Sequence, residues 1–420
     1  MSSPRTEHGT AIASWIDENW HLDMSLGEWW RRLADAGLAF PTWPAGLGGA
    51  SATSRDARLV LEALAAAEVI GPPTGIAVDM GVPTLLTHGT GEQVGRFVRE
   101  VADGTSTWCQ LFSEPGAGSD LAGLSARAVL DGDELVVTGG KVWNSGADMS
   151  DWGMLLARTD FDAPKHKGIS WMLVDMHQPG VEARRLVQMN GGAEFCEVFL
   201  SEARVPLENV VGGVGAGWDV ARTTLLHERG SIGRRPPRGL VEVRAGRHGG
   251  NLDRSLGEVI ASAHRAAKDP SRRFDIMVGQ RSMIRLARDM GVADDPVVRQ
   301  KVADYWIRSE VHRLTVARSR DNARGGTAGP EGSILKLSTA MLAHRSRDVS
   351  LSILGAEGML MGASARDSGR VQRAGLSAHA PSLGGGTNEI QRNIVGERVL
   401  GLPREPASDA ELPFRDLPRN

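Results

Sequence analysis

Cysteine is nearly absent: only Cys109 and Cys196 occur in 420 residues. Two thiols cannot build a disulfide framework, and these two lack metal-ligand spacing, so a reducing compartment is expected. An excess of charge is also missing. The 48 Lys and Arg nearly balance the 51 Asp and Glu, leaving a net charge of −3. That balance gives no global attraction to nucleic acid or an anionic membrane. No apolar run is long enough to span a bilayer. The first residues show no basic segment followed by an apolar stretch, so no signal peptide is expected. These absences predict a cytoplasmic protein that engages neither nucleic acid nor membrane. Common catalytic signatures are missing too. There is no G-x-G-x-x-G after a strand and no Walker loop. His227-Glu228 lacks the second His of a zinc helix, and no G-x-S-x-G elbow occurs. Metal, ATP and serine-hydrolase chemistry have no basis here, and no metal ligands are expected. A single Tyr beside eleven Trp has no explanation at this level.

What is present is an ordinary globular composition, 41% hydrophobic and 24% charged, in a chain long enough for two or three domains. The first hundred residues read as helical. Ser25 and Glu28 form a capping-box pattern, and Leu26, Trp29, Trp30 and Leu33 follow at helical spacing. Gly37 and Pro41 close that helix. A second helix, rich in Leu and Ala, is expected over 55–69. From about residue 106 the texture turns to strands. Asp131-Gly132-Asp133 is a hairpin turn between apolar runs. Residues 154–158 and 169–174 are further strand-like runs. Cys196, Val198 and Leu200 alternate with Glu197 and Phe199. Glycines between 212 and 217 form a hinge, after which helices are expected over 255–268, 276–290, 296–320 and 333–354. The resulting class is α+β rather than a βαβ nucleotide-binding sheet. The expected domains are helical (1–105), β (106–213) and helical (214–420).

Two segments carry candidate chemistry. CQLFSEPGAGSDL, 109–121, opens the β block. Its small and hydroxyl residues let backbone amides approach a phosphate or a flat ring. Composition alone favours an ordinary glycine-rich turn. LGGGTNEIQRNIVGERVLGLPR, 383–404, runs from three glycines into a helix N-terminus, a standard anion site. Its plain alternative is a capped helix after a loop.

Taken together, these segments resemble the acyl-CoA dehydrogenase family over nearly the whole chain. Residues 112–120 (FSEPGAGSD) are similar to the family's first signature, 140–146 (GKVWNSG) to its flavin-flanking strand, and 386–392 (GTNEIQR) to its C-terminal signature. The resemblance implies FAD between the β domain and a C-terminal bundle, partly covered by a neighbouring subunit. It implies that Phe112 and Ser113 lie beside the isoalloxazine and that Gly118 and Ser119 approach phosphate or the thioester ligand. Trp143 would cover the flavin, Ser145 would bond near its reactive nitrogen, and Thr387 and Glu389 would contact it from the bundle. Leu354-Gly355-Ala356 resembles the loop that holds the neighbour's cofactor, although the family's usual Gln is Ser352 here. Arg285 or Arg288 is the candidate pyrophosphate arginine, with Arg288 preferred.

The chemistry so implied needs a carboxylate to take the α proton of a thioester while the β hydrogen leaves as hydride to the flavin. Many members carry that base immediately before the Gly-Thr pair, which here is Gly385. A subgroup, including enzymes for branched substrates, carries it on an earlier helix before an arginine. That position is Glu228, followed by Arg229. Trp218, Ala221, Leu225 and Glu228 fall on one helix face, so the carboxylate shares a largely apolar face. The plain alternative for Glu228 is a structural ion pair. Arg229 either orients the ligand or forms a salt bridge. Gly385 and Gly386 are candidates to border the substrate, while Gly384 and Gly386 read alternatively as residues needed only for the turn. Cys196 reads as a small core residue.

Three functions remain open at this point. The first is an acyl-CoA dehydrogenase, with coenzyme A or an acyl carrier protein as thioester carrier and an electron-transfer flavoprotein as acceptor. The second is a flavin-dependent oxidase or monooxygenase on the same fold. The third is a non-catalytic partner subunit. A homodimer or homotetramer is expected. The Arg-rich stretch 234–254 is expected to be poorly anchored, with Arg234, Arg235, Arg238 and Arg247 as candidates for carrier phosphates.

Overall fold

The computed structural model describes residues 4–231, 241, 243, 246–268, 276–324, 331–404, 406 and 411–417. Five helices come first: α1 (Pro4–Asn19), α2 (Leu26–Asp35), α3 (Ser54–Ala66), α4 (Val82–His88) and α5 (Gly91–Ala102). Eight strands follow: β1 (Trp108–Leu111), β2 (Arg127–Asp131), β3 (Glu134–Ser145), β4 (Trp152–Arg158), β5 (Ile169–Asp175), β6 (Val181–Leu186), β7 (Phe195–Pro206) and β8 (Val210–Val211). The rest is helical: α6 (Gly217–Ser231), α7 (Leu256–Lys268), α8 (Gln280–Asp289), α9 (Pro296–Arg324), α10 (Glu331–Leu354), α11 (Arg370–Ser377), α12 (Ala380–Leu383) and α13 (Asn388–Arg398). The chain forms two compact units. One comprises residues 1–186, 193–265 and 408–420, the other 187–192 and 266–407.

In the first unit the sheet runs β6-β7-β3-β2-β4-β5-β8, with β1 added parallel to β4. The hairpin at Asp131-Gly132-Asp133 pairs β2 with β3, as the turn residues demand. Strands β4 and β5 are buried on both faces. Met154, Leu156, Ile169, Trp171 and Leu173 enter the core shared with the helices, while Leu155, Ala157, Met172 and Val174 enter the core of the sheet's other face. This explains why both strands read as continuous apolar runs rather than alternating ones.

The tryptophans now have a role. Trp29 and Trp30, adjacent on α2, are both fully buried. Their indole N–H groups donate to the carbonyls of Ile70 and Gly71, each at 2.8 Å. Each ring thus fills core volume and ties down the chain that follows α3. The capping box at Ser25 is only half formed. Ser25 accepts from the Glu28 amide, while the Glu28 carboxylate turns to Arg32 at 2.6 Å. Thr53 and Asp56 form the complete box instead, at the start of α3.

The expectation of a poorly anchored stretch near 234–254 needs revision where the stretch is described. Val241 bridges to Ile70, and Val243 and Leu252 pack against the helical core. The carbonyls of Leu252 and Arg254 accept from Gly27 and Leu26. Arg234, Arg235 and Arg238 lie outside the described residues. Arg247 pairs with Glu100 at 3.3 Å while its side chain stays largely exposed.

Helix α6 is seated on β5. The Gly215 amide donates to Ser170 Oγ at 2.8 Å, and Ala216 bridges to Ile169. Gly217 then runs so close that an added Cβ would lie 2.3 Å from the Trp171 amide nitrogen and 2.4 Å from the Ser170 carbonyl carbon. Both obstacles are backbone, so only movement of the helix could relieve them. Gly217→Ala is therefore expected to lower stability by about 1–3 kcal/mol, as overpacking does, and to displace α6 from the sheet. Urea denaturation of the purified variant, with an unchanged midpoint as the contrary result, checks this.

Candidate active site

The glycine-rich loop after β1 is held from beneath by a buried ion pair. Lys141 on β3 is fully buried and donates to Glu114 Oε1 at 2.8 Å and to the Phe112 carbonyl at 3.0 Å. The Glu114 carboxylate also accepts from the Ser125 amide at 2.7 Å, the Ser125 hydroxyl at 2.9 Å and the Ala126 amide at 2.9 Å. Burial pushes the Glu114 carboxyl up. The Lys141 charge and these hydrogen bonds outweigh it, and the pKa lies below the usual carboxylate value. Burial lowers the Lys141 pKa against the opposing pull of Glu114.

Above this anchor, Gly116, Gly118 and Ser119 are exposed, and a Cβ added at either glycine would meet nothing within 4 Å. The loop therefore offers bare backbone to open space. Phe112 is 3% exposed, with its ring in the helical core and its carbonyl accepting from Lys141 at 3.0 Å. Ser113 is half-buried, and its carbonyl accepts from the Val142 amide at 2.9 Å, joining the loop to β3.

Trp143 is the most unusual residue of this surface. It sits where the β3–β7 register shifts, at a φ of +65°, and its side chain is 60% exposed. A large side chain in the left-handed region costs on the order of 1–3 kcal/mol. The bulge turns the indole outward, where it meets Phe195 edge-on at 5.9 Å. Ser145, half-buried, lies opposite Phe195 in the ladder. Between them Asn144 points inward. Its Nδ2 donates to the Gln110 carbonyl at 2.6 Å, while its buried Oδ1 has no hydrogen-bond partner among the described residues.

Glu228 comes to this surface from α6. The inward face that the helical spacing predicts is present: Ala221 is fully buried, and Trp218 and Leu225 pack against the helical core. Glu228 is half-buried, and the Gln110 side-chain amide lies 3.4 Å from its Oε2. A carboxylate more than a hundred residues away in sequence is thus brought to β1, two positions before Phe112. The Arg229 side chain lies outside what the structure describes. Cys196 is fully buried, with its thiol pushed up in pKa by burial and facing Asp148 at 3.4 Å.

The second unit holds the remaining candidates. Arg285 and Arg288 are exposed on α8. Gly355, at a φ of +56°, ends α10 with open space around its Cα. Ser352 bonds only locally, its hydroxyl donating to the Val349 carbonyl at 2.9 Å. Gly385 and Gly386 have φ of +65° and +88° between α12 and α13. A Cβ at Gly386 would lie 2.6 Å from Gln391 Nε2, which donates to the Gly385 carbonyl at 3.1 Å. Lys336 on α10 donates to the carbonyls of Pro381 and Gly386. Thr387 caps α13 by accepting from the Ile390 amide at 3.4 Å, and Glu389 is exposed beside Arg392 at 3.3 Å. In this unit the Gly385-Gly386 turn is a backbone loop fixed by two side chains, Lys336 and Gln391. Sequence reasoning names Gln391 only as one polar residue of the C-terminal helix, and it assigns no role to Lys336, Gln110, Asn144 or Lys141. Gln110, Asn144, Lys141 and Gln391 lie inside motifs that were noticed for other residues. Lys336 had no local signal.

The fold runs from helices through one sheet to helices, an order shared with known proteins. Family descriptions of the acyl-CoA dehydrogenase N-terminal, middle and C-terminal domains match residues 6–105, 109–203 and 273–400. The chain is 36% identical over 377 residues to acyl-CoA dehydrogenase IpdE1 of Mycobacterium tuberculosis, covering 90% of this chain and 88% of that protein. Among solved structures, the Tcur3481-Tcur3483 steroid ACAD is similar with a TM-score of 0.65 and 25% identity, covering 96% of this chain and 99% of that one. The ChsE4-ChsE5 complex from Mycobacterium tuberculosis is similar with a TM-score of 0.63 and 26% identity, covering 96% and 99%. The chain belongs to the acyl-CoA dehydrogenase family, whose members are FAD-dependent oxidoreductases. No described helix is long and apolar enough to cross a membrane.

Removing one partner of the buried pair beneath the loop leaves an uncompensated charge. Lys141→Met is expected to destabilise the protein by about 3–5 kcal/mol, and Glu114→Gln combined with Lys141→Met by less. The depressed Glu114 pKa sets the sign with pH. Its stabilisation is present above the ordinary carboxylate pKa and is lost as pH falls through the lowered folded value. Denaturation midpoints of the single and double variants at neutral and acidic pH test this. Equal midpoints for wild type and Lys141→Met would contradict it.

Proposed function

We propose that this acyl-CoA dehydrogenase removes the α proton of an acyl-CoA thioester with Glu228. The single observation that supports this most is the Glu228 carboxylate beside Gln110 on β1, at 3.4 Å, next to the loop that carries the first flavin signature. Gly385 offers no side chain at the position where many relatives carry the base, and its left-handed φ suits glycine.

The residues present fit a flavin. Bare backbone at Gly116 and Gly118, an exposed indole on a strained residue, and a buried Asn144 oxygen without a partner are features that a bound flat, polar cofactor would explain. Phe112, Ser113, Gly118, Ser119, Trp143 and Ser145 are the residues of the first unit that would hold it; Arg288, Gly355, Thr387 and Glu389 are, separately, the candidates that the second unit offers to a cofactor. When bound, FAD supplies the acceptor for the hydride that leaves the β carbon. This chain's own residues supply the proton transfer and its setting. Glu228 accepts the α proton on a carboxylate oxygen. The Gln110 amide steadies that carboxylate, and Trp218 and Leu225 keep the helix face apolar so that water competes less for it. The thioester carbonyl must receive hydrogen bonds as enolate charge develops.

The substrate class we infer is a bulky, ring-bearing acyl thioester of coenzyme A. Support comes from the solved relative described as a steroid ACAD and from the open Gly385. The acceptor we infer is an electron-transfer flavoprotein, and the working form an oligomer of this chain.

The test is anaerobic bleaching of the flavin by a panel of thioesters. Wild type is expected to be reduced faster by ring-bearing than by straight-chain substrates. Glu228→Gln is expected to slow reduction by about 10²–10⁴-fold with FAD content unchanged. Reduction of Glu228→Gln at the wild-type rate would remove Glu228 from the chemistry.

A further inference from the structure

Outside the candidate active site, one group of polar side chains converges from three separate segments. Asp151 precedes β4, His177 follows β5, and His248 lies in the short turn Arg247–Gly249. One ligand atom from each lies within 4.8 Å of the others. We propose that Asp151, His177 and His248 bind a divalent transition-metal ion of the zinc type, which pins the segment around His248 to the sheet.

The geometry supports this at each ligand. The Asp151 side chain is 11% exposed and faces His248 Nε2 through Oδ1 at 3.5 Å. Two ligands of a tetrahedral zinc ion, each at about 2.0–2.2 Å from the metal, stand about 3.3–3.6 Å apart. The other Asp151 oxygen is already fixed, accepting from the Thr107 amide at 2.7 Å and the Thr107 hydroxyl at 3.2 Å. That is the outer-shell support that orients a metal-binding carboxylate. No Arg or Lys pairs with this nearly buried carboxylate among the described residues.

The two imidazoles lie face to face, with centroids 3.6 Å apart and a tilt of 32°. Both are exposed, and binding a common ion would turn the rings out of this stacked arrangement so that one nitrogen of each converges on it. His177 is held by its backbone, whose amide donates to Asp175 Oδ1 at 2.8 Å. His248 is brought in by Gly246. That residue's amide donates to the Gly104 carbonyl at 3.0 Å, and an added Cβ would lie 2.7 Å from Thr107 Oγ1. Arg247 adds its pair with Glu100. The approach of His248 to Asp151 is thus built into the backbone.

Two imidazoles and one carboxylate select borderline ions such as zinc or cobalt over magnesium or calcium. Water would fill the remaining positions. Because all three ligands lie in the same compact unit and none belongs to the flavin or thioester machinery, this inference stands apart from the catalytic reading.

The experiment uses tag-free holoprotein that has been stripped with a chelator and then freed of it. Zinc is titrated calorimetrically, and cobalt is followed by its absorption to the red of the flavin band. One ion per chain is expected, with no magnesium binding. His177→Ala and His248→Ala should each weaken zinc binding by at least about tenfold, the range already seen for outer-shell losses. Zinc should raise the thermal midpoint of wild type but not of His248→Ala. Flavin content and circular dichroism report whether each variant folds, and His177, on a different loop, gives an independent reading. Absence of one-to-one binding, or equal affinity in wild type and both variants, overturns the proposal.

Discussion

The ion pair between Glu114 and Lys141 is the constraint on which the candidate site depends. A loop rich in glycine has no side chains with which to hold itself, so its shape must come from beneath. One buried carboxylate gathers the amides of Ser125 and Ala126, the Ser125 hydroxyl and the Lys141 ammonium, and Lys141 also binds the Phe112 carbonyl. The loop can then leave its backbone open at Gly116 and Gly118. A buried pair is a poor source of net stability. Its contribution here is to fix one geometry for a segment that would otherwise have many.

The second half of the arrangement follows the same logic from the opposite direction. Glu228 is placed by a helix rather than a loop. The tight contact of Gly217 with β5 and the inward face of α6 set where that carboxylate emerges. In the other unit, Lys336 and Gln391 hold carbonyls of the Gly385-Gly386 turn, as Lys141 holds that of Phe112. In each case, a polar side chain on a regular element fixes an irregular backbone.

Much of this was legible in the sequence, because the patterns were strong and local. The hairpin at Asp131-Gly132-Asp133, the buried face of α6 and the helix boundaries in the C-terminal half follow from turn chemistry and periodicity. The motifs located the loop, the strand and the C-terminal turn. What the sequence withheld was long-range pairing. Nothing local marks Gln110 as the partner of Glu228, or Lys336 as the anchor of a turn fifty residues later. Phe112 buries its ring in the core, which no local spacing marks. Trp143 shows the converse: its strained φ, invisible in the sequence, turns an aromatic residue outward. Asp151, His177 and His248 are too far apart in the chain for any spacing rule to join them.

The central claim is that Glu228 takes the α proton. Its most direct test separates proton removal from hydride transfer. A thioester with an acidic α position but no transferable β hydrogen is incubated with the enzyme in deuterated water, and loss of its α hydrogen is followed by proton NMR. Wild type should exchange that hydrogen, and Glu228→Gln with full FAD content should do so at no more than the rate without enzyme. Exchange by Glu228→Gln at the wild-type rate would contradict the account.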